Sequence, residues 1–371
     1  MAKIISAGHI CLDITPVFRP GQTHDQLADL LVPGKLIEVG AASVYAGGSV
    51  GNTGLALKRL GNDVALLGKV GDDLLGATLQ RILSETGAGG LIVDPASSTS
   101  YSVVLAPPGI DRIFLHNPGA NDTFVPSDIP EATLTDAVLF HFGYPTLMKR
   151  FYGEGGAALS RMLRDVKARG VATSLDMTAV DPMSQAGQAD WRAILARALP
   201  CVDFFVPSFE ELCFMLDRPL YERLCAEGGD MTGCLSLAGD ALPLARACLD
   251  MGCAAVLLKC GLSGMVFASA GRGRVLEIGA RLRLDAGIWS DRCIAQPCFQ
   301  AEAVRSAAGA GDVSIAAFLT ALMNRESPEM CVKLAAAEGA AAVSSYDTLG
   351  GIQPLDELKR RIDAGWKTME G

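Results

Sequence analysis

Apolar residues along this chain gather in short runs: Lys3–Gly8, Val64–Gly68, Ala137–Gly143, Val171–Asp176, Phe204–Pro207 and Ala254–Lys259. Runs of this length, nearly continuous in aliphatic and aromatic residues, predict strands buried on both faces. Between them the apolar spacing changes to three and four. Asp73–Thr86 carries Leu75, Leu79, Ile82 and Leu83, which share one face of a helix, and Ser49–Leu60, Gly156–Ala168 and Ala241–Met251 are similar candidates. Two more helices are expected late in the chain, Val313–Met323 and the Ala-rich Glu329–Ser344. Strand and helix in alternation predict an α/β fold, a mostly parallel sheet covered on both faces.

Two segments break the alternation. Asp13–Tyr45 and Ser98–Leu115 read as short strands and turns; Thr99–Leu105 runs into a Pro-Pro-Gly turn at Pro107–Gly109, and Arg112–His116 resumes as a strand. That is a hairpin signal, and the two segments together predict a small β layer outside the main sheet. Asp217–Gly239, rich in Gly and Cys, and Arg281–Phe299, with Trp289, read as insertions. The 371 residues otherwise read as a single domain, 1–371, without internal repeats.

Charge and cysteine content narrow the function. A net charge of −9 and a pI near 5.0 leave little to hold a nucleic-acid backbone. The short basic run Lys359-Arg360-Arg361 reads as the solvated face of a terminal helix. Eleven cysteines without a Cys-x-x-Cys pair fit a reducing compartment better than a disulfide framework or a zinc knuckle. No signal peptide or span-length apolar stretch is evident, so the expectation is a cytoplasmic protein without a membrane or nucleic-acid partner.

The sharpest chemical signal is Ala308-Gly309-Ala310-Gly311-Asp312 immediately before an apolar helical run. Small residues let the backbone approach a ligand closely, and the first N–H groups of a helix are unpaired at the positive end of its dipole. Such a turn can cradle an anion, with Asp312 beside it. Taken alone, the segment reads more readily as a glycine turn into a helix with an ordinary first-turn acid. Ala46-Gly47-Gly48-Ser49-Val50-Gly51-Asn52 opens another helix. It reads either as a turn that admits a polar substrate, with Asn52 as a hydrogen-bonding group, or as close helix–sheet packing. It also contains Gly-x-Ser-x-Gly, the pattern of a serine nucleophile, which needs a late histidine; the four histidines are His9, His24, His116 and His141. A Walker loop, a complete dinucleotide fingerprint, His-Glu-x-x-His and an EF-hand loop are absent.

In order along the chain, six segments resemble the PfkB (ribokinase-like) family of carbohydrate and nucleoside kinases. Gly8-His9-Ile10-Cys11-Leu12-Asp13 is similar to the family's first strand, ending in a substrate-binding aspartate; Ala46–Gly61 to its N-terminal signature; and Gly68–Gly76 to the next motif. Pro118-Gly119-Ala120-Asn121 resembles the loop after the lid hairpin, Leu258–Gly264 the strand and turn bordering the nucleotide, and Ala308–Asp312 the C-terminal signature.

The resemblance implies a ribokinase-like three-layer α/β/α sandwich with a mostly parallel sheet and a β lid from about 13–45 and 98–117. It implies ATP-dependent phosphorylation of a hydroxyl on a sugar or sugar-like molecule, with ATP and Mg²⁺ required. Asp312 would be the base and Gly309, Ala310 and Gly311 the anion hole. Asp13, Gly47, Gly48 and Asn52 would hold the substrate, and Ser208, Lys259, Gly261 and Gly264 would border the nucleotide. Glu211 matches the glutamate tied to Mg²⁺, although Ser208 stands where the family's Asn-x-x-Glu motif has asparagine. Ser306 replaces the signature's first Asp, which many relatives use in a monovalent-cation site, so a K⁺ requirement does not follow. Family lids also meet in homodimers, which makes a lid-mediated homodimer an expectation here. Lys259 reads alternatively as a strand-end lysine reaching solvent. Three rival readings remain: a nucleoside kinase, which an apolar or aromatic lid face would favour and which Val44, Tyr45 and Tyr101 leave open; a non-catalytic binding protein on this fold; and a serine hydrolase through Ser49.

Overall fold

All six expected strands form, and all six lie in one sheet of the computed structural model, which describes residues 3–18, 31–107, 112–227, 231–233, 235–345 and 347–369. Its eight strands run in the order Cys293–Gln296, Met265–Ser269, Ala255–Lys259, Phe204–Phe205, Ala172–Asp176, Ala137–Gly143, Lys3–Gly8, Asp63–Leu67. Pairing is parallel from Asp63–Leu67 across to Ala255–Lys259, and antiparallel for the last two strands. The edge is a correction to the sequence reading. Arg281–Phe299 is no loose insertion: it supplies the Cys293–Gln296 edge strand, and its Trp289 is buried against Phe204, Phe267 and Phe318.

Two apolar clusters sandwich the sheet. One is built largely from Leu55–Arg59, Leu74–Glu85, Ala310–Met323, Pro328–Ala342 and Leu355–Asp363; the other from Ala157–Ala168, Trp191–Ala198, Phe209–Leu216 and Leu242–Asp250. Helices facing a buried parallel sheet on both sides make the three-layer architecture expected. The helices Ala310–Met323 and Pro328–Ala342 are apolar nearly all round because they pack on each other as well as on the sheet. Asp217–Gly239 begins with a helix, Arg218–Glu227, and continues outside the described residues at 228–230 and 234.

A second sheet forms the lid. Its strands run Ala42–Gly47, Cys11–Pro16, Tyr101–Leu105, Ile113–Asn117, with the central pair parallel and the outer pairs antiparallel. Residues 19–30 of the expected lid segment, and Pro108 and Gly109 of the Pro-Pro-Gly turn, lie outside the described residues. Asp13 therefore does not end the first strand as expected. The chain leaves the main sheet at Gly8, bends through His9 and Ile10, and carries Asp13 into the lid. Asn121 fixes this bend, accepting from the Ile10 amide at 3.1 Å and donating to the Ile10 carbonyl at 2.9 Å.

Strand order positions the site. The chain passes from Lys3–Gly8 to one neighbour, Asp63–Leu67, and later returns to the other side at Ala137–Gly143. Connections leave that switch point in opposite directions, opening a crevice at the carboxyl ends of the strands, where ligands of open α/β sheets bind.

Candidate active site

Gly8, Gly143, Asp176 and Lys259 end parallel strands, and His9, Tyr144 and Ser208 lie just beyond their carboxyl ends. The helix Ala310–Met323 begins over the same end of the sheet. Its N-cap, Gly309, takes a left-handed φ of 71°, and a Cβ there would lie 2.2 Å from the Thr348 side chain, so the turn tolerates little but glycine. No side chain caps the helix. The Ala310 amide bonds the Ala307 carbonyl at 3.3 Å, which leaves the next amides, of Gly311 and Asp312, as first-turn donors for an anion. Of the three amides expected to form the anion hole, that of Ala310 is thus already engaged.

Asp312 is only 5% exposed, yet among the described residues no cation bonds its carboxylate directly. Oδ1 accepts from Thr53 Oγ1 at 2.7 Å; Oδ2 accepts from the Tyr144 hydroxyl at 2.7 Å and from Asn52 Nδ2 at 3.1 Å. Burial raises its pKa above the ordinary carboxylate value, against the pull of these donors and of the nearby Lys259 charge. Asn52 and Thr53 reach it together because the expected Ser49–Leu60 helix opens with a π turn at Val50–Gly54 before continuing as α-helix at Leu55–Arg59. Such widened turns recur at functional sites.

Lys259 does not run out to solvent. Its ammonium bonds Asp176 Oδ1 at 2.9 Å and the Val206 carbonyl at 2.6 Å, and it lies directly beneath Gly311. Burial works against the charge, but Asp176, Glu211 and Asp312 outweigh it, so Lys259 stays protonated. Ser208 and Glu211 form a capping box: the Ser208 hydroxyl accepts from the Glu211 amide at 3.3 Å, and Glu211 Oε2 accepts from the Ser208 amide at 2.7 Å. This leaves Glu211 one oxygen for a ligand. Among the described residues no cluster of three or more His, Cys, Asp or Glu could hold a metal ion unaided. A Mg²⁺ that keeps its waters and arrives on phosphate oxygens fits this donor set.

On the lid side, cross-strand register sets Tyr45, Asp13, Ser102 and His116 in one row. Directly opposed residues share a face, so this row of polar groups travels together. Asp13 accepts from the Cys11 thiol at 3.2 Å, and burial followed by the neighbouring Asp312 charge holds its pKa up, opposed by Cys11 and Ser102. His116 Nδ1 meets Ser102 Oγ at 3.0 Å and its Nε2 meets His9 Nε2 at 3.3 Å, tying lid to body. Burial lowers the pKa of both imidazoles, so the pair is neutral. Gly47 and Gly48 let this cluster close up: a Cβ on Gly47 would lie 2.1 Å from Asp13 Oδ2, and one on Gly48 2.5 Å from His9 Nδ1.

Gly261 and Gly264 sit farther out, in the turn after Lys259, with positive φ of 52° and 107°. Their missing side chains make room for Thr232 and for the Gln296 carbonyl, so packing alone accounts for both glycines. The Gly68–Gly76 motif is likewise structural: Asp73 caps the helix at Gly76 and bonds the Thr99 amide and hydroxyl, bracing the stalk of the lid. Ser49 does lie 3.4 Å from His141 Nε2, but both are fully buried and burial, aided by Lys259, pushes His141 down to about 3. A serine that no substrate reaches, beside an imidazole partnered by Ser174, is no nucleophile.

Sequence reading missed Thr53, Tyr144, Asp176, His9, Ser102 and His116. Asp176 carried a usable signal, an acid closing an apolar strand run. Tyr144 carried none, because its contact depends on a left-handed backbone, φ 64° and ψ 43°.

Comparison with known proteins agrees with this geometry. The pfkB family carbohydrate kinase pattern matches residues 10–354. Fructokinase-1 of Zea mays is 27% identical over 149 residues, covering 39% of this chain and 42% of that protein, so the match spans less than half of the relative's length. Fructokinase with bound ATP from Xylella fastidiosa superposes with a TM-score of 0.69 at 19% identity, covering 98% of each chain. A putative ribokinase II in complex with ATP and Mg²⁺ from E. coli gives 0.69 at 21% identity, covering 98% of this chain and 100% of that one. The fold is therefore ribokinase-like, and the chain belongs to the pfkB family of carbohydrate kinases.

Proposed function

We propose that this chain transfers the γ-phosphoryl group of Mg·ATP to a hydroxyl of a sugar, with Asp312 as the base. The supporting observation is a buried carboxylate bonded by the neutral donors Asn52, Thr53 and Tyr144 in the first turn of an uncapped helix, at the switch point of a parallel sheet. Phosphoryl transfer has a loose transition state, so positioning and charge stabilisation supply most of the rate. The acceptor oxygen would lie between Asp13 and Asp312, with Asp312 taking its proton as the oxygen bonds to phosphorus. The Gly311 and Asp312 amides would face the phosphoryl oxygens, and Lys259 beneath them adds positive charge. Glu211 and Ser208 border the phosphate side, where Glu211 would contact the hydrated Mg²⁺ of the nucleotide. Gly261 and Gly264 shape the turn beside it.

Asp13 and Ser102, hydrogen-bonding groups at the centre of the lid row, suit the hydroxyls of a sugar, and Tyr45 and His116 flank them as aromatic rings with polar tips. The fructokinase names among its curated relatives support a sugar acceptor. Release of ADP from Mg·ATP across hexoses, pentoses, sugar acids and nucleosides tests the reading. Turnover confined to neutral sugars is expected. Turnover with nucleosides alone would replace it, and ATP binding without turnover of any acceptor would favour a binding protein.

A further inference from the structure

The Tyr144 hydroxyl is the shortest donor to Asp312 Oδ2, and the backbone behind it is unusual twice over. Tyr144 holds φ 64° and ψ 43°, a left-handed conformation that disfavours any residue with a Cβ. It also precedes Pro145, and a residue before proline is pushed toward extended backbone. Such conformations are costly and persist where surrounding contacts over-determine them. Here the Tyr144 amide bonds the Asp176 carbonyl at 3.2 Å, and its carbonyl accepts from the Leu147 amide at 3.0 Å, so a buried one-turn knot presents the phenol to the site.

We propose that Tyr144 is a positioning residue for Asp312: its phenol fixes the carboxylate so that the lone pair left on Oδ1 faces the acceptor hydroxyl. The assignment rests on the kinase reading above and follows from counting donors. A carboxylate oxygen accepts about two hydrogen bonds. Among the described residues Oδ2 has both, from Tyr144 and Asn52, and Oδ1 has one, from Thr53. Removing the phenol opens a second acceptor position on the wrong oxygen and lets the carboxylate rotate. The phenol never gives up its proton, since burial followed by Asp312 and Asp176 raises its pKa well above the ordinary value. It acts only as a donor, stabilising the ionised form of the base.

The test compares wild type with Tyr144→Phe, which keeps the ring and the packing. With D-fructose or D-ribose and Mg·ATP, kcat is expected to fall about tenfold to a hundredfold while the acceptor KM changes less than about threefold. In parallel, ¹³C-carboxylate NMR follows the Asp312 titration without substrate, its resonance assigned by its loss in Asp312→Asn. Losing a donor to the ionised form moves the midpoint up. Lys259, Asp176 and Asp13, which also face Asp312, and Glu211, which faces Tyr144, stay the same in both proteins. An unmoved midpoint, or wild-type kcat, overturns the assignment; a merely structural role would change the melting temperature alone. If the wild type phosphorylates neither sugar, the kinase reading fails for those acceptors while the titration still decides the positioning role. Should Tyr144→Phe fold poorly, 3-fluorotyrosine at 144, a more acidic donor of nearly the same shape, must move the midpoint down.

Discussion

Two buried aspartates at opposite ends of the sheet are held in contrasting ways. Asp203, entering the strand Phe204–Phe205 at its amino end, is fully buried and met by two cations, Lys167 and Arg274. The amides of Thr173 at 3.1 Å and Gly279 at 3.2 Å also donate to it. Its oxygens are saturated by charge and geometry, and it joins three segments of the chain. Asp312, at the carboxyl end, is nearly as buried but among the described residues receives only neutral donors, which leaves one lone pair open. A buried acid compensated by cations is a structural fixture. One compensated only in part retains reactivity at a cost in stability.

Exchanging the two in experiment gives the largest contrast. Asp312→Asn should lower kcat by about a thousandfold, within the range for a lost general base, and leave the melting temperature unchanged or slightly raised. Asp203→Ala should do the reverse. Leaving Lys167 and Arg274 facing an empty buried site should cost about 3–5 kcal/mol in denaturant unfolding, with kcat per folded molecule preserved.

A third buried acid sharpens the distinction. Glu338 is fully buried between packed helices; its Oε1 accepts from the Gln353 amide at 3.1 Å, and its Oε2 has no partner. Burial raises its pKa from 4.5 to about 8. Between those values the folded chain keeps a proton that the unfolded chain has lost. Its contribution therefore lowers stability as pH rises through that window. Glu338→Gln should melt like the wild type near pH 4.5 and higher than it at pH 8, which calorimetry across the window checks. The smallest expected effect is at the lid stalk. Asp73→Ala removes a helix cap and the Thr99 bonds, for a loss of about 1–2 kcal/mol and little change in kcat.

The carboxyl end of the sheet was more legible in the sequence than its edge. Apolar runs such as Ala137–Gly143 and Ala254–Lys259 announce buried strands because both faces are covered, and Gly309-Ala310-Gly311-Asp312 announces a helix start because few residues other than glycine suit that turn. Met265–Ser269 and Cys293–Gln296 were illegible. They are short antiparallel strands, the first paired on both sides and the second at the sheet's edge, where it alternates with charged and polar neighbours like a loop. Asp13 was legible as the start of the lid segment, but the break between the main sheet and the lid was not, since the two-residue bend at His9–Ile10 is held by Asn121, more than a hundred positions away. Long-range contacts also hid Thr53, Tyr144 and the His9–His116 pair. Local spacing records what a residue needs from its neighbours in sequence, and these side chains meet only after the sheet and the lid close.

The central claim is that the carboxyl end of this sheet moves a phosphoryl group onto a sugar hydroxyl with Asp312 as base. The most direct measurement is ³¹P NMR of Mg·ATP with D-fructose or D-ribose, in the presence of wild type and of Asp312→Asn. The account predicts a phosphomonoester resonance growing in step with ADP in the wild type and about a thousandfold slower in the variant. Inorganic phosphate in place of the ester, or equal ester formation by both proteins, would contradict it.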